Sequence, residues 1–468
     1  MPPNKVFAVR HHILSMLESG AIVTGEKIPG AREIAEELGI SLLKVQQAVE
    51  SLCQDGVLQS HSRKGTYVQA NWQIRVLKEN LCVYSPVDHF PWIRGMFELL
   101  EDTIPGLRSS YAFKRGMLEL RTTSHVLTQY DDYMDLSSIF EECYPDRNLF
   151  FERPFKPFVV NGKMVGIPFA FSPRVIFFNP KVFEEAGCSL PSAGWTWSDF
   201  IGCVEQLTKT LPKSQIINWR PAIFLFMNFI MRAGGRLFCP ELADPVTLDS
   251  PQVLKGLQLF RQLGDLLTGE EIDDGQYLDD FLNGQAAMHL SGRHMMNFIQ
   301  RSGFKDWQTV PMPLFDNGVD CSAQATDLIC VRKNCTSVEL AKRYVTAMLS
   351  EPVQDCIGQW KHNIPIRKSS AFKSLDLDDS RDALFATEVA KISTDFNLEP
   401  PYPGTFVLDG LERILTHKID LETGLSELAQ AARTILGVSG YGSNGEVIKS
   451  LFYSSEQDPE VINRLKPH

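Results

Sequence analysis

The chain has 468 residues, 44% of them hydrophobic, and a net charge of −11, which makes it globular and long enough for about three folded units with buried cores. Residues 1–70 carry seven basic and seven acidic side chains, so the whole deficit lies downstream. An acidic surface repels phosphate, which excludes nucleic-acid binding outside the amino-terminal module.

Val6, Val9, Ile13, Leu14 and Leu17 recur at three and four and predict an amphipathic first helix from Lys5 to Leu17, ended by Gly20. His11, His12 and Glu18 interrupt this stretch, so it lacks the unbroken apolar core of a secretion signal. A second helix, "AREIAEELG", buries Ile34, Ala35 and Leu38 and stops at Gly39 as a left-handed cap. Ser41 is expected to cap a third helix whose Val45, Ala48, Val49 and Leu52 face inward, leaving Leu42, Lys44, Gln46 and Gln47 on or near the outer face. "GVLQS" and "GTYV" read as two short strands around a basic tip, His61 to Lys64. Three short helices and a basic hairpin suit either a protein-interaction fold or a DNA-binding one.

Over its full length this segment resembles the winged helix of the GntR regulator family. "EKIPGAREIAEELGIS" is similar to that family's Leu-Pro-Ser-Glu-Arg-Glu-Leu-Ala followed by Leu-Gly-Val-Ser, and "GTYV" to its wing. The resemblance implies DNA contacts from Arg32, from the start of the third helix (Ser41, Lys44, Gln46, Gln47) and from the wing (Arg63, Lys64, Gly65, Thr66). Leu42 and Gln46 stand where the family usually has arginines, so arginine-to-guanine readout is lost there. Glutamine still reads adenine, while Arg32, Arg63 and Lys64 hold phosphates.

Gln69 to Asn80 has no run of helix breakers and reads as a stiff connector, with domain bounds expected at 1–70, 71–80 and 81–468. "LCVYSPV" then reads as a strand and "WIRGMFELLEDTIPG" as a helix, and strands and helices alternate onward, which predicts an α/β architecture with parallel sheets. Within Gly162 to Lys209 the pattern predicts strands "MVGIPF" and "RVIFFN", a helix from near Pro180 and a further helix capped at Thr196 or Ser198. The longest apolar run, Ala222 to Met231, is about half a membrane span. The ten cysteines include no Cys-x-x-Cys pair, and Cys330 and Cys335 lack a second Cys or His pair at metal spacing, so reduced, mostly buried thiols and no metal are expected.

From Gly162 onward the chain resembles the family 1 extracellular solute-binding proteins, the sugar-binding partners of importers. The resemblance is carried by "GKMVGIPF", the Arg-containing strand ending in "FFN", "AGC", "TWSDF", "RAGGRLF", "FLNGQAAMHLSGRH", "VPMPL", "ELAKRYVTAMLSEPVQ" and "IPIRKSS", in that order; from Leu81 to Asn161 it is only architectural. It implies a hinged, two-lobe fold of the type II periplasmic-binding-protein kind with ligand in the cleft. Lobe 1 would be about 81–172 and 326–372, lobe 2 about 173–325 and 373–468, with crossings near Phe171 to Arg174, Ala325 to Ile329 and Phe372. Sugar sites pair flat aromatic faces with polar groups. The resemblance places Asp88, Trp92, Gln129, Tyr130, Ser172, Arg174, Trp219, Arg293, His294, Asp327 and Tyr402 at ligand positions. Trp195 and Trp197 are read as packing at a helix start and left out.

The chain carries no G-x-S-x-G, no H-E-x-x-H and no Gly-rich phosphate loop, so neither an enzyme nor a cofactor is expected. These features read as a cytoplasmic, dimeric transcriptional regulator of a carbohydrate operon, with operator DNA and a mono- or oligosaccharide as partners and no membrane contact. The competing readings are the solute-binding component of an importer and, third, a sugar-acting enzyme.

Overall fold

The computed structural model describes residues 5–436 apart from 19–20, 71, 73–79, 84–91, 105–107, 111–116, 161, 240–241, 268–273, 334, 336–337 and 394–403. The amino-terminal module is built of α1 (Lys5–Glu18), α2 (Ala31–Leu38), α3 (Leu42–Gln54), β1 (Leu58–His61) and β2 (Gly65–Val68). The apolar spacing of α1 and α3 decides its core: Val9, Ile13, Ile34, Val45, Ala48 and Leu52 are fully buried together. Gly39 ends α2 at φ 63°, and its N–H bonds back to the last helical carbonyls as the left-handed cap requires. Ser41 is extended ahead of α3, but its side chain makes no capping hydrogen bond, contrary to expectation; only its carbonyl accepts from Lys44 and Val45. β1 and β2 pair antiparallel from Leu58 opposite Val68 to His61 opposite Gly65. Trp72, in the expected connector, packs into this same core.

Beyond the module the chain is a mixed α/β structure. The chain divides into two compact units: Met1–Arg121, Asp132–Pro145 and Ile329–Cys356 form one, and Thr122–Asp131, Asp146–Leu328 and Ile357–His468 the other. In the first unit β3 (Asn80–Val83) pairs in parallel with β4 (Arg108–Ser110) and with the start of β5 (Leu118–Thr122). In the second unit pairing is mixed: the strand Val175–Phe178 is flanked antiparallel by Met288–Ser291 and Gln308–Val310, while Ser322 and Ala323 pair in parallel with Ile392 and Ser393. Alternation of strand and helix signals does not register strand direction, so the sequence reading erred there.

The second unit's helices follow their caps. Asn179 accepts from Lys181 and opens Pro180–Glu185, and Thr196 forms a reciprocal capping box with Asp199 ahead of Trp197–Leu207. The long apolar run becomes the buried helix Ile223–Arg232, packed against Pro251–Leu267; among the described residues no helix is long and apolar enough to cross a membrane. This crossing depends on Gly256, where an added Cβ would lie 2.6 Å from Ile230 Cα and 2.8 Å from its backbone nitrogen. Gly202, by contrast, sits in the helix Trp197–Leu207 with open space around it. Gly256→Ala should therefore destabilise the chain by about 1–3 kcal/mol through overpacking, and Gly202→Ala should stabilise it by about 0.5–1 kcal/mol through backbone entropy. Denaturant titration of both variants checks this, and equal effects would contradict the crossing.

Candidate functional site

On the amino-terminal module, Arg32, Ser41, Gln46 and Gln47 are exposed, and Lys44 is half-buried with its Nζ donating to Gln47 Oε1 at 3.1 Å. Arg63 and Lys64 are exposed at the hairpin tip, where Arg63 takes a left-handed φ of 61° and Gly65 a φ of 115°. That conformation at Gly65 is open to few side chains, and the Lys27 side chain lies against the space a Cβ would need. Thr66 holds the hairpin through a 2.8 Å hydroxyl contact with Ser60, so it is a brace for the wing.

In the second unit a set of polar residues is organised by one arginine. Arg293, at the turn between the strand Met288–Ser291 and the helix His294–Ser302, is fully buried. Its Nε and Nη2 donate to the two Asp382 carboxylate oxygens at 2.7 and 2.8 Å, Nη2 also to Ser374 O at 2.6 Å and Nη1 to Asn363 O at 3.4 Å. Its backbone N–H donates to Ser172 Oγ at 2.7 Å, and that hydroxyl donates to Pro173 O. The Arg293 guanidinium and the Ser172 hydroxyl are thus engaged inside the protein and shielded from water, which corrects their expected role as ligand contacts.

The groups beside them add further donors and acceptors. His294, half-buried, contacts Ser291 Oγ through Nε2 at 3.2 Å and tilts against His362 with ring centroids 5.6 Å apart. Burial, then the charge of Arg174 and the neighbouring His289 ring, push His294 down to about 3; burial and Arg174 do the same to His289, also about 3, and His362 lies well below its ordinary value. All three imidazoles are neutral at pH 7, each with one donor and one acceptor nitrogen. Asp327 accepts from Asn363 Nδ2 at 2.7 Å, and burial raises it to about 6 against the opposing pull of that bond and of Arg174. Arg174 is half-buried; its backbone is clamped by Ser322 Oγ, and its guanidinium lies over the Phe224 ring, 5.5 Å from the centroid.

Other expected contacts scatter. Trp219 stacks on Phe260 at 5.2 Å, and its indole N–H donates to Phe260 O at 3.1 Å, so one face and the polar edge are occupied. Gln129 and Tyr130 stand half-buried just beyond the helix Thr123–Thr128. Trp92, in the first unit, is fully buried in the helix Trp92–Thr103 alongside Met96 and Leu100, which corrects its expected role: no ring face is open. Asp88 and Tyr402 lie outside the described residues. Trp195 and Trp197 pack among Phe200, Phe229 and Phe315, as read from the sequence.

The family description "Bacterial regulatory proteins, gntR family" matches residues 6–68, and "Bacterial extracellular solute-binding protein" matches residues 124–355. The chain is a GntR-family module fused to a solute-binding-protein domain. The solute-binding match begins well before Gly162, where the sequence reading had seen only architecture. Among solved structures, an ABC substrate-binding protein from Listeria monocytogenes in complex with cycloalternan is similar at 17% identity and TM-score 0.62, covering 76% of this chain and 98% of that one. UgpB from Mycobacterium tuberculosis in complex with glycerophosphocholine matches at 16% identity and TM-score 0.64, covering 77% and 98%. A solute-binding protein from Thermotoga lettingae bound with α-D-tagatose matches at 15% identity and TM-score 0.65, covering 76% and 99%. These establish the two-lobe solute-binding fold. No curated protein sequence matches the chain.

His362 and Asn363 were missed by the sequence reading although they directly precede the quoted "IPIRKSS"; the motif drew attention to itself and away from its flank. Asp382 had no local signal, because its importance comes from Arg293, 89 positions away.

The buried imidazoles set a pH dependence. As pH falls from 7 to 5, the unfolded chain protonates His289, His294 and His362 while the folded form does not, so stability is lost. Asp327 and Glu388, whose pKa values are raised, hold protons longer in the folded form and act in the opposite sense. With three groups against two, the melting temperature should fall between pH 7 and pH 5, and His294→Asn should flatten that slope. Thermal melts of both proteins across this range check the claim; a rising melting temperature would contradict it.

Proposed function

We propose that the chain is a ligand-responsive transcriptional regulator of a carbohydrate uptake or utilisation operon, in which sugar binding to the solute-binding domain alters operator binding by the winged helix. The observation that carries this reading is the presence of a gntR-family module and a solute-binding domain in one chain. A DNA-binding module gives an importer component no use, although the solute-binding relatives are described as extracellular.

The chemistry of the second unit favours a neutral, hydroxyl-rich ligand. Neutral His294, the Asn363 amide, the Asp327 carboxylate and the Arg174 fork offer donors and acceptors of both kinds. A flat face is also open: Trp360 is 41% exposed two positions before His362, and its carbonyl is held by Asn297 Nδ2 at 3.0 Å. A pyranose needs both, since its C–H face stacks on rings while its hydroxyls bond to polar groups. Two winged helices in a dimer would match half-sites about one DNA turn apart or a multiple of it. Arg174 lies in the strand turn "FSPRV" and would hold the sugar through two parallel donors, which lysine cannot reproduce.

A matching sugar at about 100 times its dissociation constant should stabilise the solute-binding domain by about 2.7 kcal/mol. Thermal shift of the full chain against a mono- and oligosaccharide library reads this directly. Arg174→Lys and Trp360→Ala should reduce the shift while leaving the ligand-free melting temperature nearly unchanged. A broad library that moves no melting temperature would count against a sugar ligand.

A further inference from the structure

The outer face of α3 carries apolar side chains that folding does not explain. Leu43 is 62% exposed and Leu42 37%, while Val45, Ala48 and Leu52 of the same helix are fully buried in the module core. Helical spacing places Leu42 one turn from Gln46, and Leu43 beside both Gln46 and Gln47, so these four share the outward surface of the first two turns. Exposed leucines at the start of a helix invite either an apolar partner or a groove that offers apolar groups. The surroundings select the second. Arg32, Arg63 and Lys64 are exposed on the neighbouring elements, and the exposed Ser41 has a hydroxyl that does not cap the helix. Of the nearby acids, Glu33 folds back onto Gly30 N–H at 3.2 Å, and Glu37 faces His12 Nε2 at 3.5 Å. Exposed leucines on a helix whose neighbouring elements carry exposed cations fit a polyanion that exposes methyl groups.

The DNA major groove is such a surface. Its only apolar group is the thymine C5-methyl, which neither guanine nor cytosine carries. We infer that α3 reads thymine methyl groups through Leu42 and Leu43, with Gln46 reading adenine, so that the operator half-site is built on A·T pairs. This rests on the proposed DNA-binding role of the module and specifies its target. Gln46 is the amide left for a base, because Gln47 Oε1 already accepts from Lys44. α3 contains no arginine to read guanine O6 and N7, and its one lysine, Lys44, is turned onto Gln47 Oε1.

The test removes one methyl group and nothing else. The full chain selects duplexes from a randomised pool, and the enriched half-sites are remade with deoxyuridine in place of thymidine, position by position. Uracil keeps every hydrogen-bonding group of thymine and lacks only the methyl. The expected result is enrichment of A·T pairs and a loss of about three- to fivefold in wild-type affinity for each contacted methyl, the worth of one buried methyl-sized group. Leu42→Ala and Leu43→Ala, at exposed positions, should each lose the preference for thymine over uracil at the position that leucine reads and keep it at the other. Arg32→Ala should weaken both duplexes equally and preserve their ratio. G·C-rich selected sites, or equal wild-type affinity for thymine and uracil at every position, would overturn the methyl readout and leave DNA binding standing. No binding to any duplex at low salt would overturn the regulator reading and this inference with it.

Discussion

The buried pair between Arg293 and Asp382 is the interaction on which the second unit's polar surface depends. Both side chains are fully shielded, and removing two charges from water costs several kcal/mol per ion unless geometry and further hydrogen bonds offset it. Here the pairing is bidentate, and the remaining donors reach the carbonyls of Ser374 and Asn363. Five segments are drawn to one point: the end of the strand Ile167–Pro173 through Ser172, the turn at Arg293, the residues before Ile364–Pro365, the end of the helix Lys368–Ser374, and the helix Ser380–Val389. His294 follows Arg293 directly, and Asn363 bonds Arg293 with its carbonyl and Asp327 with its amide. The ion pair thereby sets the positions of groups it does not itself present to a ligand.

The amino-terminal module obeys a different constraint. Its charge is balanced, so it cannot rely on the dense positive field that dominates many DNA-binding surfaces. Its few cations are placed rather than massed: Arg63 and Lys64 at a hairpin tip shaped by left-handed backbone at Arg63 and Gly65, and Arg32 at the start of α2. Binding by such a surface should be weak and strongly affected by each lost contact. An acidic solute-binding domain keeps the rest of the chain from competing for phosphate.

Much of this was legible in the sequence where the signal is local. Apolar spacing placed the three helices of the module, Gly39 announced its own left-handed cap, and Thr196, one of two candidate caps with Ser198, is the one that caps its helix, in a box with Asp199. Signals that depend on distant partners were misread. Arg293 and Ser172 were polar residues at plausible ligand positions, and only the fold shows that Ser172 Oγ takes the Arg293 backbone N–H while Asp382 takes the Arg293 guanidinium. Trp92 offered a large ring, but helix spacing placed it with Met96 and Leu100 in a core. Ser41 had the right residue type for a cap and a backbone that suits it, yet its hydroxyl makes no such bond. Residue type foretells what a side chain is able to do, and tertiary neighbours decide whether it is free to do it.

The central claim is that one chain couples a solute to an operator. Coupling is a difference in DNA affinity between the ligand-bound and ligand-free protein, and by linkage the same factor must appear in ligand affinity with and without DNA. The most direct measurement is calorimetric titration of the full-length protein with its ligand, once alone and once saturated with selected operator DNA. The account predicts dissociation constants differing by about five- to 150-fold, the usual range of a coupling free energy. Identical constants would contradict it, leaving a DNA-binding module and a solute-binding domain that share a chain and act independently.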